Sequence, residues 1–294
     1  EHIAFLEEVA GLPETVSLRY NPGGVFSLGT DIMDHPEESK FGMTKAQLIQ
    51  GYKDLKAKGV KKYGLHAFLA SNTVTNDYYP TLAAQLFELA VEIKETTGVE
   101  LDFIDLSGGI GVDYTPENQQ NEIALIGAGD HAQFDAILVP NGLGNVKIYT
   151  ELGRFMLAPH GHLVTKVLHI KDTYRRYVGV DASAANLMRP AFYGAYHHIT
   201  NISNPDGPLE VVDVTGSLCE NNDKFAKHRE LPQVRVGDTL IIHDAGAHGF
   251  SMGYNYNGRL RSAEILLQED GSPRLIRRAE TMEDYFATIS GFDF

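Results

Sequence analysis

From Val16 to Thr150 short apolar runs alternate with amphipathic helical repeats, and past about residue 163 the helical repeats stop while strand-length runs continue. Such alternation is the signature of βα units around a parallel sheet, because a crossover must carry the chain back before the next parallel strand can start. The expected strands are Val16 to Tyr20, Tyr63 to Phe68, Leu101 to Leu106 and Val146 to Thr150. Between the first two, Thr44 and Gln47 have the spacing of a capping box, Leu48, Tyr52 and Leu55 share one helical face, and Gly59 closes it. Leu82, Leu86, Leu89 and Ile93 repeat at helical spacing, with Gly98 as the stop.

The second half reads as a mainly β domain, with strands expected at Leu163 to Ile170, Tyr174 to Val180, Glu210 to Val214 and Thr239 to His243. Ser262 to Leu267 and Arg274 to Arg278 flank the turn-forming run from Glu269 to Pro273 and should make a hairpin. The expected domains are therefore residues 1–162 and 163–294. Four βα units are too few to close an eight-stranded barrel, so a barrel-like first half would lack its beginning. The absence of an initiator Met before Glu1 agrees with processing, truncation or excision of a piece.

With 294 residues, 43% of them hydrophobic, the chain can bury one large core or two smaller ones. Its 39 acidic against 25 basic residues give a net charge of −14, which argues against a nucleic acid or an anionic membrane surface as the main partner. One cysteine cannot form an internal disulfide, and no stretch has the length of a membrane span, so a reduced, cytoplasmic protein is expected. The opening residues do not read as a signal peptide. The 12 histidines show neither HExxH nor a Cys/His zinc pattern, and no metal is expected. The GxSxG and P-loop patterns of hydrolases and nucleotidases are missing as well.

Four segments concentrate chemistry. Asp105 to Gly111, reading DLSGGIG, ends a strand, where bare glycine backbone can bring amides close to a phosphate. Its glycine spacing is not a dinucleotide fingerprint, and a plain tight turn would read the same. Glu151-Leu152-Gly153-Arg154 also ends a strand; a carboxylate there could keep a pyridine nitrogen protonated, or could simply pair with the arginine. The run from Arg189 to His198 offers a guanidinium fork for a carboxylate or phosphate together with the Tyr193 phenol, and otherwise would pack as an aromatic β-edge. Gly216 to Asp223 is a polar turn with the single thiol, Cys219, and the Glu220 carboxylate. A lone cysteine is more often inert than catalytic.

Taken in order, Ser39 to Gly42, Gly64 to His66, Ser107 to Gly111, Glu151 to Arg154, Arg189 to His197, Cys219 to Asp223, Ala245 to Ala247 and Tyr256 to Arg259 resemble the diaminopimelate decarboxylase family from about Val16 to Leu267. The resemblance implies part of an alanine-racemase-like (β/α)8 TIM barrel followed by a C-terminal β-barrel or sandwich domain. It implies pyridoxal 5'-phosphate as cofactor, a small amino-acid substrate, and a homodimer with shared active sites. Carried over by motif, Gly108, Gly109 and Gly111 would contact the phosphate, joined by Ser71, while Glu151 would face the pyridine nitrogen. Phe68, Gly153, Arg154 and His248 would complete the cofactor site. Arg154, Arg189, Tyr193 and Glu220 would bind substrate, and Cys219 with Glu220 would reach the partner's site as its catalytic contribution. Phe68 replaces the family's usual histidine and His248 its usual tyrosine, which changes stacking at one point and the hydrogen-bond donor at the other. The lysine that anchors the cofactor belongs to a region upstream of this chain in the family, and Lys40 matches a different landmark. A related basic-amino-acid or carboxynorspermidine decarboxylase, or a non-catalytic homologue, are the competing expectations.

Overall fold

The computed structural model describes residues 2–24, 36–116 and 121–291, and these fall into two compact units. The first holds the described residues up to Asp113 and those from 121 to Met156; the second holds 114–116 and those from Leu157 onward.

In the first unit, strands β1 (Thr15–Arg19), β2 (Lys62–His66), β3 (Phe103–Asp105) and β4 (Lys147–Tyr149) form a parallel sheet in sequential order. Helix α1 (His2–Ala10) precedes β1, α2 (Lys45–Ala57) links β1 to β2, α3 (Tyr78–Thr97) links β2 to β3, and α4 (Ile123–Gln133) lies between β3 and β4. This is the βα alternation anticipated from the periodicity. The capping box forms as expected, with the Thr44 hydroxyl accepting from the Gln47 amide and the Gln47 side chain accepting from the Thr44 amide. Gly98 ends α3 at φ +62, a left-handed conformation that costs glycine little.

Leu48, Leu55, Leu65, Leu82, Leu86, Ile93, Ile104 and Leu106 are fully buried in one core between sheet and helices. Each such side chain contributes about 1.5–3 kcal/mol of transfer free energy. Tyr52 joins them because its hydroxyl donates to the Gly64 carbonyl at 2.7 Å, satisfying its one polar atom. Gly64 itself is dictated by the neighbouring strand, since a Cβ there would lie 2.2 Å from the Phe103 ring.

The second unit is built on a six-stranded sheet of order β7-β10-β5-β6-β8-β9. Its strands are β5 (Leu163–Asp172), β6 (Arg176–Val180), β7 (Ile199–Asn201), β8 (Leu209–Thr215), β9 (Lys224–Pro232) and β10 (Thr239–Ile242). All neighbours are antiparallel except β6 and β8. Val167, Val178, Val212, Val214, Leu240 and Ile242 form its core. The hairpin β11 (Glu264–Leu267) and β12 (Pro273–Arg277) falls where the turn signal placed it.

Short helices complete the chain: α5 (Gly153–Leu157), α6 (Arg189–Tyr193) and α7 (Met282–Phe286). The alternative of an aromatic β-edge at Arg189 to His198 is corrected for its first half, which is α6. Pro190 suits the first turn of a helix, and Gly194 closes it at φ +61. No helix among the described residues is long and apolar enough to cross a membrane.

Candidate active site at the strand ends of the first unit

Parallel register places Arg19 opposite His66, His66 opposite Asp105, and Asp105 opposite Tyr149, a row across the carboxyl ends of all four strands. Loops at these ends carry the chemistry of βα folds, because the strands hold them at fixed spacing. Two residues past β4 comes Glu151. One ligating atom each of His66, Asp105 and Glu151 lie within 4.8 Å of one another, the one such group of three among the described residues. Their separations in sequence follow no metal-site spacing, so only the strand register reveals them.

The turn after β3 is tied down from three sides. The Tyr79 hydroxyl donates to the Ser107 carbonyl at 2.6 Å, and the Glu151 amide donates to the same carbonyl at 2.8 Å. The Ser107 amide donates to Asp105 Oδ1 at 2.7 Å, which supports Ser107 at φ +61. Tyr79 is 1% exposed and burial pushes its phenol above its ordinary pKa, so it stays a neutral donor.

The glycines are required by space. A Cβ at Gly108 would lie 2.7 Å from the Glu151 carbonyl oxygen and 3.6 Å from the Phe68 ring. Gly109 adopts φ +126, which favours glycine, and a Cβ at Gly111 would sit 2.7 Å from the Asn72 backbone. At Gly153 a Cβ would meet nothing within 4 Å, so its position at the start of α5 makes no steric demand for glycine.

Glu151 is exposed and accepts from the Ser107 hydroxyl at 3.4 Å. Arg154 donates to Ser71 Oγ at 3.2 Å, bringing together two residues that the sequence kept 83 positions apart. Arg19 was not singled out from the sequence. Its guanidinium lies 4.7 Å from the Phe41 ring and 5.6 Å from the Phe68 ring, and it donates to the Phe68 carbonyl at 3.4 Å. Burial lowers its pKa, and the Glu151 charge partly offsets that. His66 is likewise lowered, first by burial and then by Arg19, against the raising effect of Asp105 and Glu151. It therefore favours the neutral imidazole near pH 7.

The remaining expected site residues belong to the second unit. Arg189 is 4% exposed, whereas Tyr193, on the same short helix, is 61% exposed. His248 is half-buried at φ +58. Cys219 and Glu220 are exposed in a turn organised by Asp223, whose carboxylate accepts from the Ala184 amide at 2.7 Å and the Leu218 amide at 2.8 Å. The Cys219 amide donates to Asn257 Oδ1 at 2.7 Å.

Comparison with known proteins gives a consistent family. Residues 31–246 match the family described as "Pyridoxal-dependent decarboxylase, C-terminal sheet domain". Protein TabA of Pseudomonas amygdali pv. tabaci is 38% identical over 286 residues, covering 97% of this chain and 67% of its own. Diaminopimelate decarboxylase of Methanothermobacter thermautotrophicus is 37% identical over 95% of this chain and 65% of its own. The solved structure of the M. jannaschii diaminopimelate decarboxylase superposes with TM-score 0.85 at 32% identity, covering 94% of this chain and 63% of that one. Its co-complex with L-lysine gives TM-score 0.82 at 31% identity, with coverage of 94% and 63%. The chain thus spans just under two thirds of these decarboxylases. The neighbours share the architecture of part of a βα barrel followed by a sheet domain.

The family implies pyridoxal phosphate, and the strand-end geometry fits it. A Cβ at Gly108, Gly109 or Gly111 would meet backbone within about 3.0 Å, the Phe68 ring stands beside Gly108, and Glu151 is an exposed carboxylate next to the same turn. By sequence match and by fold, this chain belongs to the pyridoxal-dependent decarboxylase family.

Proposed function

We propose that the whole protein is a pyridoxal-phosphate-dependent carboxy-lyase that converts meso-diaminopimelate into L-lysine. The observation that carries this reading is the joint geometry of the glycine turn and Glu151, tied to each other through the Ser107 carbonyl. Pyridoxal phosphate, when bound, supplies an electron sink for the pair left behind as carbon dioxide departs. Glu151 holds a proton at the ring nitrogen, since a carboxylate beside a pyridine favours its charged form. The amides of Gly108, Gly109 and Gly111 bind the phosphate with Ser71. Phe68 would face the cofactor ring, and Gly153, Arg154 and His248 would complete the cofactor site. Arg189, Tyr193 and Arg154 orient the substrate, with Glu220 at its distal amine. Cys219 and Glu220 would act from a second subunit as catalytic residues, in a homodimer of the cytoplasm.

We also infer that the lysine anchoring the cofactor is not among residues 1–294. Lys40 is exposed, with its ammonium 5.1 Å from the Phe41 ring, a position explained by that contact. Borohydride reduction of the cofactor-loaded protein followed by peptide mapping tests this, and a label on any lysine of this chain overturns it. For the activity, L-lysine and carbon dioxide should form from meso-diaminopimelate in the presence of pyridoxal phosphate. Ornithine, arginine and carboxynorspermidine serve as competitors. Turnover of one of these with none of diaminopimelate would reject the substrate while retaining the reaction class.

A further inference from the structure

The Ser107 carbonyl is a junction of three elements. It accepts from the Tyr79 hydroxyl at 2.6 Å and from the Glu151 amide at 2.8 Å, so α3, the turn after β3 and the end of β4 meet at one oxygen with both lone pairs used. Tyr79 reaches it from the first turn of α3, where it is 1% exposed and packs edge-on against Tyr78 with ring centroids 5.5 Å apart. Tyr78 in turn bounds the second glycine of the turn, since a Cβ at Gly109 would lie 3.3 Å from its ring. Burial pushes the Tyr79 phenol above its ordinary pKa, so the hydroxyl keeps its proton and remains a donor at neutral pH.

This junction fixes the direction of an amide. A carbonyl and the N–H of the next residue belong to one planar unit and point opposite ways when the peptide is trans. No cis peptide bond occurs here, so whatever holds the Ser107 carbonyl also sets the direction of the Gly108 N–H. Ser107 sits at φ +61, a conformation that a non-glycine residue keeps only where its surroundings dictate it. Gly108 is buried, and its amide donates to no group among the described residues. Buried amides are nearly always paired, so this one is placed to donate to a bound group.

We propose that Tyr79 is a positioning residue whose hydroxyl, by holding the Ser107 carbonyl, aims the Gly108 amide at the phosphate of the cofactor. The second half of this statement rests on the pyridoxal-phosphate reading above. The first half stands without it.

Tyr52→Phe is the matched control for Tyr79→Phe. It also removes a buried hydroxyl that donates to a carbonyl, that of Gly64 in mid-strand β2, at 2.7 Å. Both variants of the whole protein should lower the urea midpoint by similar amounts. Tyr79→Phe alone should weaken pyridoxal-phosphate binding, by about tenfold or more, while affinity for pyridoxal, which lacks the phosphate, changes by less than about twofold. Unchanged pyridoxal-phosphate affinity in Tyr79→Phe overturns the aiming role, and so do equal losses for the two ligands or an equal loss in Tyr52→Phe.

NMR of the wild type gives an independent reading even if the variant fails to fold. The Tyr79 hydroxyl proton should exchange slowly with water, and the Gly108 amide proton should move downfield when pyridoxal phosphate binds but not when pyridoxal binds. A fast-exchanging hydroxyl overturns the first half, and a Gly108 amide that does not respond to the phosphate overturns the second. If the wild type binds no pyridoxal phosphate while the hydroxyl exchanges slowly, the cofactor reading fails and the Tyr79 junction remains.

Discussion

At the scale of single residues, the candidate site is governed by what cannot be added to it. Gly108 faces the Glu151 carbonyl so closely that one methyl group would need to push β4's end away from the turn. The same Glu151 backbone anchors to Ser107, so the displacement would reach the carboxylate as well as the glycine turn proposed to hold the phosphate. Gly108→Ala is therefore expected to weaken pyridoxal-phosphate binding by at least about tenfold, because both contacts move together. Fluorescence titration with the cofactor measures this, and Gly153→Ala provides the contrast, since its Cβ meets nothing within 4 Å and its affinity should change little. Equal losses in the two variants would show that the cradle is not set by backbone approach.

At the scale of elements, α3 and α4 are drawn together by another glycine. A Cβ at Gly129 would lie 2.5 Å from Pro80 in the first turn of α3. This close approach buries the neighbouring Asp130, whose Oδ1 has no hydrogen-bond partner among the described residues. Burial pushes its pKa up to about 6. Because the folded state then binds the proton more tightly than the unfolded chain, folding loses stability as pH rises from about 4 through about 6, and the full penalty persists above. Discounted for partial solvent screening, it is about 1–2 kcal/mol. Denaturant melts at about pH 4.5 and 7.5 should show Asp130→Asn gaining that amount relative to wild type at the higher pH. A constant difference at both pH values would mean that Asp130 is solvated.

The same elements show what the sequence discloses and what it conceals. Strands β1 to β4, helices α2 and α3 and the β11–β12 hairpin were legible because apolar period, caps and turn residues are local properties. Strand β9, reading KFAKHRELP, was not, because charges dominate it and its pairing with β8 is what makes it a strand. Strand β7 has three residues, too few to show a period. In the site, the glycine turn and Glu151 stood out by residue type. Arg19 and Tyr79 did not, since their importance comes from strand register and from a hydroxyl reaching a carbonyl 28 residues away.

At the scale of the whole molecule, the remaining question is whether the exposed turn of Cys219 and Glu220 serves its own subunit or a partner. Asp223 and Asn257 hold the turn in shape while leaving the thiol exposed, a geometry suited to presenting it outward. The sheet of the same unit also exposes Val164, Leu168, Leu209 and Val211 by more than half in the single chain, apolar area that association would cover. In a two-fold dimer each subunit would lend its turn to the other's Glu151 site. Mixing two inactive forms of the whole protein tests this. Cys219→Ala subunits keep Glu151, and Glu151→Ala subunits keep Cys219. A heterodimer then has one site with both residues intact and one with neither. Random pairing makes half of the dimers mixed, so activity should return to about a quarter of wild type. If each variant is folded and dimeric and mixed dimers form without any return of activity, Cys219 acts within its own subunit or does not take part in the reaction.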